Sequence, residues 1–279
     1  MRKGISIWSF SGQSLSESFR LAREAGFEGV EVALDERGEI NLQSTAADMA
    51  KIKDLARENG ICLYSVASGL YWRYSLSADD AGEREMARSI VKKQLAIASW
   101  LGCDTILVLP GCVKSFAPNS PVVPYDLVYT RALAALRELA LYAEQAGVTI
   151  GIENVWNQFL LSPLEMRDLI DAVGSPAVAA YFDVGNVLAF GHPQHWIPIL
   201  GHRIKKVHIK DYRVAVGGLA GFVDLLAGDV NFPAVMAALQ SIGYQDWITA
   251  EMGTYTYYPN VLLRNTSAAM DQILATERR

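Results

Sequence analysis

Short β-branched runs alternate along the chain with longer stretches whose apolar residues recur at helical spacing. Residues 4–8 (GISIW) are predicted as a strand. A helix over 14–25 follows, with Leu15, Phe19 and Ala22 on one face and Gly26 closing it. Residues 29–34 (GVEVAL) form the next strand, with Glu31 set inside an otherwise apolar run. A helix over 45–59 stops at Gly60, and 61–67 is the third strand. A long helix over 79–101 stops at Gly102. The run 105–109 (TILVL) is apolar enough to be buried on both faces, as a parallel strand requires.

The second half repeats the alternation. A helix over 125–145 precedes Gly147, and 148–153 (VTIGIE) is the fifth strand. A helix over 162–173 opens with Ser-Pro, a cap followed by proline in the first turn. Strand six is 178–183 (VAAYFD), followed by a short helix near 194–200; strand seven is 204–209 (IKKVHI). A helix over 231–242 starts with an Asn cap and ends at Gly243. Strand eight is 246–251 (DWITAE), and the last helix covers 261–276.

Alternating strands and helices imply parallel strands joined by right-handed crossovers. Eight such units in 279 residues fit one (β/α)8 TIM barrel spanning 1–279 better than an open doubly wound sheet. No GxGxxG follows a strand and no GxxxxGK[ST] occurs, so the phosphate loops of dinucleotide and P-loop folds are missing. A hydrophobic content of 51% with 20% charged residues describes a globular chain and excludes disorder. The net charge of −5 gives no electrostatic footprint for nucleic acid. Cys62, Cys103 and Cys112 form no CxxC pair and no even framework, which points to a reduced, cytoplasmic setting. The first residues carry no apolar run of signal-peptide length, and no 18-residue apolar run offers a membrane span.

In such a barrel the chemistry sits at the C-terminal ends of the strands. The last polar residues of strands five to eight are Glu153, Asp183, His208 and Glu251. Each follows a run that should be inside, where a lone carboxylate costs several kcal/mol unless paired or bound to metal. For any one of them, a salt bridge to a neighbouring Lys or Arg is the competing reading. Four on four consecutive strands favour a metal site. Three carboxylates and one imidazole suit Mn²⁺, Mg²⁺ or Co²⁺, and Zn²⁺ less specifically.

With these residues the chain resembles the xylose-isomerase-like TIM-barrel superfamily, in its sugar and sugar-phosphate isomerase/epimerase branch, over essentially its whole length. Glu153 in IEN, Asp183 in FDVGN, His208 in VHIKD, Glu251 in AEMG and the strand-two GFEGVEV segment carry the resemblance. It implies one divalent ion, most often Mn²⁺, held by Glu153, Asp183, His208 and Glu251, with the two glutamates doubling as an acid/base pair. It implies a small-molecule ketose or ketose phosphate as substrate, and a dimer or tetramer as the common assembly. In that chemistry the ion polarises a carbonyl and stabilises an enediolate while one carboxylate removes a proton and the other returns one.

Asn186, a candidate substrate contact, separates branches of the superfamily. The DNA-repair endonucleases carry Asp-x-x-His at strand six and use further histidines for a three-zinc cluster; here the motif is Asp183-Val184-Gly185-Asn186, and the chain has four histidines. Free-ketose 3-epimerases also carry that His, so the DVGN motif is closer to the sugar-phosphate epimerases. An inosose-dehydratase-like lyase would use the same metal and a carboxylate base. An endonuclease and a non-catalytic sugar-binding barrel are the more distant alternatives.

Arg213, five residues after His208, is expected to reach a substrate carbonyl or phosphate, against a solvated loop arginine as the alternative. Trp8 and Trp156 are candidate walls of the sugar site, or packing indoles. Arg73 in the YWRY segment either grips a phosphate or belongs to a loop that packs its own aromatics. The 228–232 loop offers Asn231 as a helix cap and backbone N–H groups for an anion. Asp211 is left between orienting a metal ligand and pairing locally. Glu31 is expected near the site without being an essential ligand. His192, His195 and His202 are given no chemistry.

Overall fold

A computed structural model describes residues 1–117 and 119–275. Eight strands close into a parallel barrel: β1 (Arg2–Ser6), β2 (Gly29–Leu34), β3 (Cys62–Ser68), β4 (Thr105–Val108), β5 (Thr149–Glu153), β6 (Val178–Asp183), β7 (Ile204–Ile209) and, after a small hairpin, β10 (Trp247–Ala250), which pairs with both β7 and β1. The hairpin strands β8 (Asp211–Tyr212) and β9 (Phe222–Val223) are antiparallel and stand above the barrel rim. Nearly every strand residue is buried, as expected of strands covered by helices outside and packed side chains inside.

The outer ring is α1 (Leu15–Ala25), α2 (Ala46–Glu58), α3 (Ala81–Leu101), α4 (Tyr125–Ala146), α5 (Pro163–Val173), the short α6 (Val184–Val187), α7 (Pro193–Leu200), α8 (Phe232–Ser241) and α9 (Pro259–Ala275). Their starts follow local chemistry. Ser14, Asp80, Ser162 and Asn231 each accept an orphan N–H of the first turn, and Thr45 with Asp48 forms a reciprocal capping box. Gly26, Gly102 and Gly147 end α1, α3 and α4 in the left-handed conformation. No helix among the described residues is long and apolar enough to cross a membrane.

The observed elements follow the sequence pattern to within a few residues, and the departures that bear on the site are these. The first strand ends at Ser6, and Trp8 lies in a 3₁₀ turn, Ile7–Ser9. Strand eight stops at Ala250, so Glu251 stands just beyond the ladder. The hairpin and α6 are absent from the pattern, because two-residue strands and a one-turn helix are shorter than any period can show. The expected end of the last helix at Thr276 lies outside the described residues.

Candidate active site

The strand registers decide which side chains meet. Along a strand, residues two apart share a face. His208 is the cross-strand partner of Asp183, Tyr181 is the partner of Glu153, and Thr249 is opposite His208. Glu153, Tyr181, Asp183 and His208 therefore face the barrel interior together, and Glu251, two residues after Thr249, continues that face at the rim. One ligand atom from each of Glu153, Asp183, His208 and Glu251 lies within 4.8 Å of the others. The four residues expected at the metal thus converge at the C-terminal mouth, with Asp183 and His208 fully buried.

His208 organises the cluster. Its Nε2 lies 2.9 Å from Glu31 Oε1, and its Nδ1 lies 3.1 Å from Glu153 Oε1, 3.0 Å from Glu251 Oε2 and 4.0 Å from Asp183 Oδ2. If Nε2–H donates to Glu31, the lone pair on Nδ1 faces three carboxylates. That arrangement is repulsive unless a proton or a metal ion stands between them. In the metal-free protein the proton does so: burial would lower the His208 pKa, but Glu31, Glu153 and Glu251 together raise it well above its ordinary value. Burial also pushes Glu153 up to about 7, while Lys210 and His208 overcome burial and hold Glu251 at about 2. A divalent cation fits this donor set, since it replaces the proton and satisfies oxygen-rich ligands with one nitrogen.

Several contributors are not apparent from the strand-end pattern. Glu31 is fully buried, receives the Tyr181 hydroxyl and faces His208 Nε2, so it sets the imidazole tautomer. Lys210 places its ammonium 2.8 Å from Asp183 Oδ2 and 2.9 Å from Glu251 Oε2, a tethered cation between two expected ligands. Gly185 makes that approach feasible, because a Cβ there would come within 2.6 Å of Lys210 Cβ and 2.9 Å of its carbonyl oxygen. Asn154 clamps the Asp183 backbone from both sides: Nδ2 donates to the Asp183 carbonyl and Oδ1 accepts the Asp183 N–H. The signals for these residues are weak, being a charge inside an apolar strand and a lysine just past a strand end.

A cavity of about 600 Å³ opens above the cluster. Trp8, Trp72, Phe116, Trp156 and Phe222 supply its aromatic walls, with Glu153, Lys210 and Glu251 towards its floor. Trp8 and Trp156 both line this cavity, and Trp156 Nε1 donates to the Asn186 carbonyl. Asn186 also lines the cavity, but its side-chain amide donates to the Asn154 carbonyl and its backbone N–H donates to Asp183 Oδ1, the cap of α6.

Arg213 does not reach the cavity. The hairpin carries it outward, where it is exposed and donates to the Ala227 carbonyl. Arg73 likewise turns away and pairs with Glu36 at 2.6 Å. The 228–232 loop captures an anion, but an internal one: Asp211 accepts the N–H groups of Gly228 and Val230 as well as its neighbour Tyr212. Asp211 is therefore the pin of this loop, and Asn231 is the helix cap.

Residues 19–273 match the family described as xylose isomerase-like TIM barrel. An L-ribulose-5-phosphate 3-epimerase from Salmonella paratyphi C (strain RKS4594) is 25% identical over 253 residues, covering 88% of this chain and 84% of that protein. A 2-epi-5-epi-valiolone 7-phosphate 2-epimerase from Actinoplanes sp. (strain ATCC 31044 / CBS 674.73 / SE50/110) is 25% identical over 212 residues, 75% of this chain and 72% of that one. In three dimensions, D-psicose 3-epimerase from Clostridium cellulolyticum H10, solved with D-tagatose, superimposes with a TM-score of 0.80 at 18% identity, over 99% of each chain. With the closed eight-stranded barrel and a family match over most of its length, the chain belongs to the xylose isomerase-like TIM-barrel family.

Proposed function

We propose that the protein is a divalent-metal-dependent sugar or sugar-phosphate isomerase of the 3-epimerase type, with Glu153, Asp183, His208 and Glu251 holding one ion, Mn²⁺ in the first instance. The observation that carries this reading is the convergence of those four side chains, one from each of β5, β6, β7 and the end of β10, on one point at the barrel mouth. The epimerases named among its relatives support the reaction class.

A bound divalent ion would act as a Lewis acid on a substrate carbonyl and its adjacent hydroxyl. The chain's own residues supply the rest. Glu153 and Glu251 approach the same point from β5 and from the end of β10, and their surroundings set them apart. Before an ion binds, burial pushes one carboxyl towards neutrality, and Lys210 and His208 hold the other ionised. Two carboxylates reaching one point from different strands suit a pair in which one member takes a proton and the other returns one. Glu31 orients His208, Asn154 fixes Asp183, and the aromatic walls exclude water from a sugar lying over the floor.

Elemental analysis of wild type and Glu251→Gln, followed by deuterium uptake from D₂O into a panel of ketoses and ketose phosphates, tests the reading. Near-stoichiometric metal that falls in the variant, with exchange at the carbon next to the carbonyl, is the expected result. Loss of water from the substrate would identify a lyase on the same site. Wild-type protein that takes up no metal and gives no exchange would overturn the assignment.

A further inference from the structure

Resting on the metal-dependent epimerase reading, we infer that Lys210 is a tethered counter-ion. Its ammonium stands on the oxygens that an ion would take, and ion binding releases it into the cavity to meet the sugar. The first observation is which atoms it holds. Asp183 Oδ1 is spent on the Asn186 N–H at 2.7 Å, so Oδ2 is the oxygen left to a ligand. The Lys210 ammonium lies 2.8 Å from that Oδ2 and 2.9 Å from Glu251 Oε2. The same two oxygens face the imidazole, at 4.0 and 3.0 Å from His208 Nδ1. A divalent ion on them neutralises Asp183 and Glu251 more fully than one ammonium does. Two cations on the same buried oxygens also repel each other strongly.

The second observation is freedom to move. The root of the side chain is fixed, because a Cβ at Gly185 would stand 2.6 Å from Lys210 Cβ. Beyond that root the stem is flexible. The Lys210 side chain is 16% exposed and lines the cavity, whereas Asp183 beneath it is fully buried. Its ammonium therefore stands at the boundary between cluster and cavity, and a change of rotamer carries it across without moving the backbone. Lys206 is the contrast: it is 1% exposed, is held by Asp104 and Asp246, and has no cavity beside its ammonium to enter.

The third observation is what awaits the ammonium. Lys210 is the one basic side chain among the described residues that line the cavity. Arg73 is held by Glu36, and Arg213 by the Ala227 carbonyl. The rim acids have donors of their own. Asp211 accepts the N–H groups of Tyr212, Gly228 and Val230, and Asp224 accepts the Tyr255 hydroxyl. A released ammonium thus finds no unpaired rim carboxylate, and a carbonyl or hydroxyl oxygen of a sugar on the floor is the acceptor in reach.

The experiment trace-labels full-length wild type with acetic anhydride, metal-free and loaded with Mn²⁺, and reads each lysine by mass spectrometry. Lys210 should be protected without the ion and several-fold more reactive with it, while Lys206 stays unchanged. Lys210→Met should bind Mn²⁺ about tenfold more tightly than wild type, having no internal cation to displace. Once loaded, it should bind D-fructose or D-ribulose 5-phosphate about tenfold more weakly, read by tryptophan quenching. Stoichiometric Mn²⁺ with unchanged Lys210 reactivity would overturn the proposal and leave the epimerase reading intact. A rise shared by Lys206 would report general loosening and overturn it equally. Wild type that binds no Mn²⁺ would sink the metal-dependent reading and this proposal with it. Equal sugar binding by the two loaded proteins would overturn the contact with the sugar. The labelling needs wild type alone, so it decides the release even where the variant fails to fold.

Discussion

Lys210 is the residue whose role most depends on its neighbours. Its ammonium neutralises part of a cluster that would otherwise place three carboxylates around one imidazole. Removing one partner from a buried charge network leaves the others uncompensated, at a cost of about 3–5 kcal/mol. Lys210→Met is therefore expected to melt well below wild type when metal-free, and to regain a larger part of its stability than wild type does when Mn²⁺ is added. Thermal unfolding of both proteins with and without the ion measures this. Equal stabilisation by the ion in the two proteins would remove Lys210 from the charge balance of the site.

The same cluster sets a pH dependence. Glu153 has a raised pKa, so in the metal-free fold its neutral form is favoured, and stability falls as pH rises from its unfolded value through about 7. Metal binding needs Glu153 ionised and His208 neutral, and the His208 pKa is also raised. Both groups release protons on metal binding, so metal affinity should climb between pH 6 and 8, by about tenfold per pH unit for each proton released. Calorimetric titrations in buffers of different ionisation enthalpy count those protons, and a pH-independent affinity would contradict the raised values.

At the scale of elements, the convergence of Glu153, Asp183, His208 and Glu251 is legible in sequence because each stands at the end of a buried run, and strand alternation fixes its direction. Glu31 is visible as a misplaced charge, but its partner is not, since the contact to His208 spans 177 positions and depends on closing the barrel. Arg213 shows the reverse failure. A spacing of five residues after His208 reads as reach towards the substrate, yet the hairpin formed by β8 and β9 turns the side chain out. A two-residue strand has too few positions to reveal itself by alternation. In the DVGN segment the Asn stands out in sequence, while its glycine is what lets Lys210 lie against α6. Gly185→Ala is expected to push α6 and the end of β7 apart. The variant should keep a cooperative unfolding transition, lose about 1–3 kcal/mol of stability, and bind metal less tightly. Wild-type metal affinity in a folded Gly185→Ala protein would show that this contact does not position the site.

For the molecule as a whole, buried charge networks stand at both ends of the barrel. At the N-terminal end, Lys206, only 1% exposed, joins Asp246 at 2.6 Å and Asp104 at 2.9 Å, linking β7 to the starts of β10 and β4. At the C-terminal end the four expected ligands come from consecutive strands, so an ion there would tie half of the barrel's circumference together. Chelation of purified protein should accordingly lower Tm, by an amount that grows with the free metal concentration used for reconstitution. A melting curve indifferent to chelator and to added Mn²⁺ would place no ion at this junction. The barrel itself is the most legible feature of the chain, because it needs only eight repeats of a local pattern. The contents of the cavity are the least, because they are set by loops whose paths have no period.

Asp183 holds two posts with its two oxygens. Oδ1 receives the Asn186 N–H and so begins α6, while Oδ2 faces Lys210 and the ligand cluster. Asparagine can perform the first task as well as aspartate but brings no charge to the second. Asp183→Asn therefore offers a way to uncouple architecture from chemistry: a protein that keeps its turn from strand to helix yet is poorly equipped to retain an ion. Such a form would let an intact ketose rest in the cavity unconverted, where crystallography or magnetic resonance could observe it at leisure.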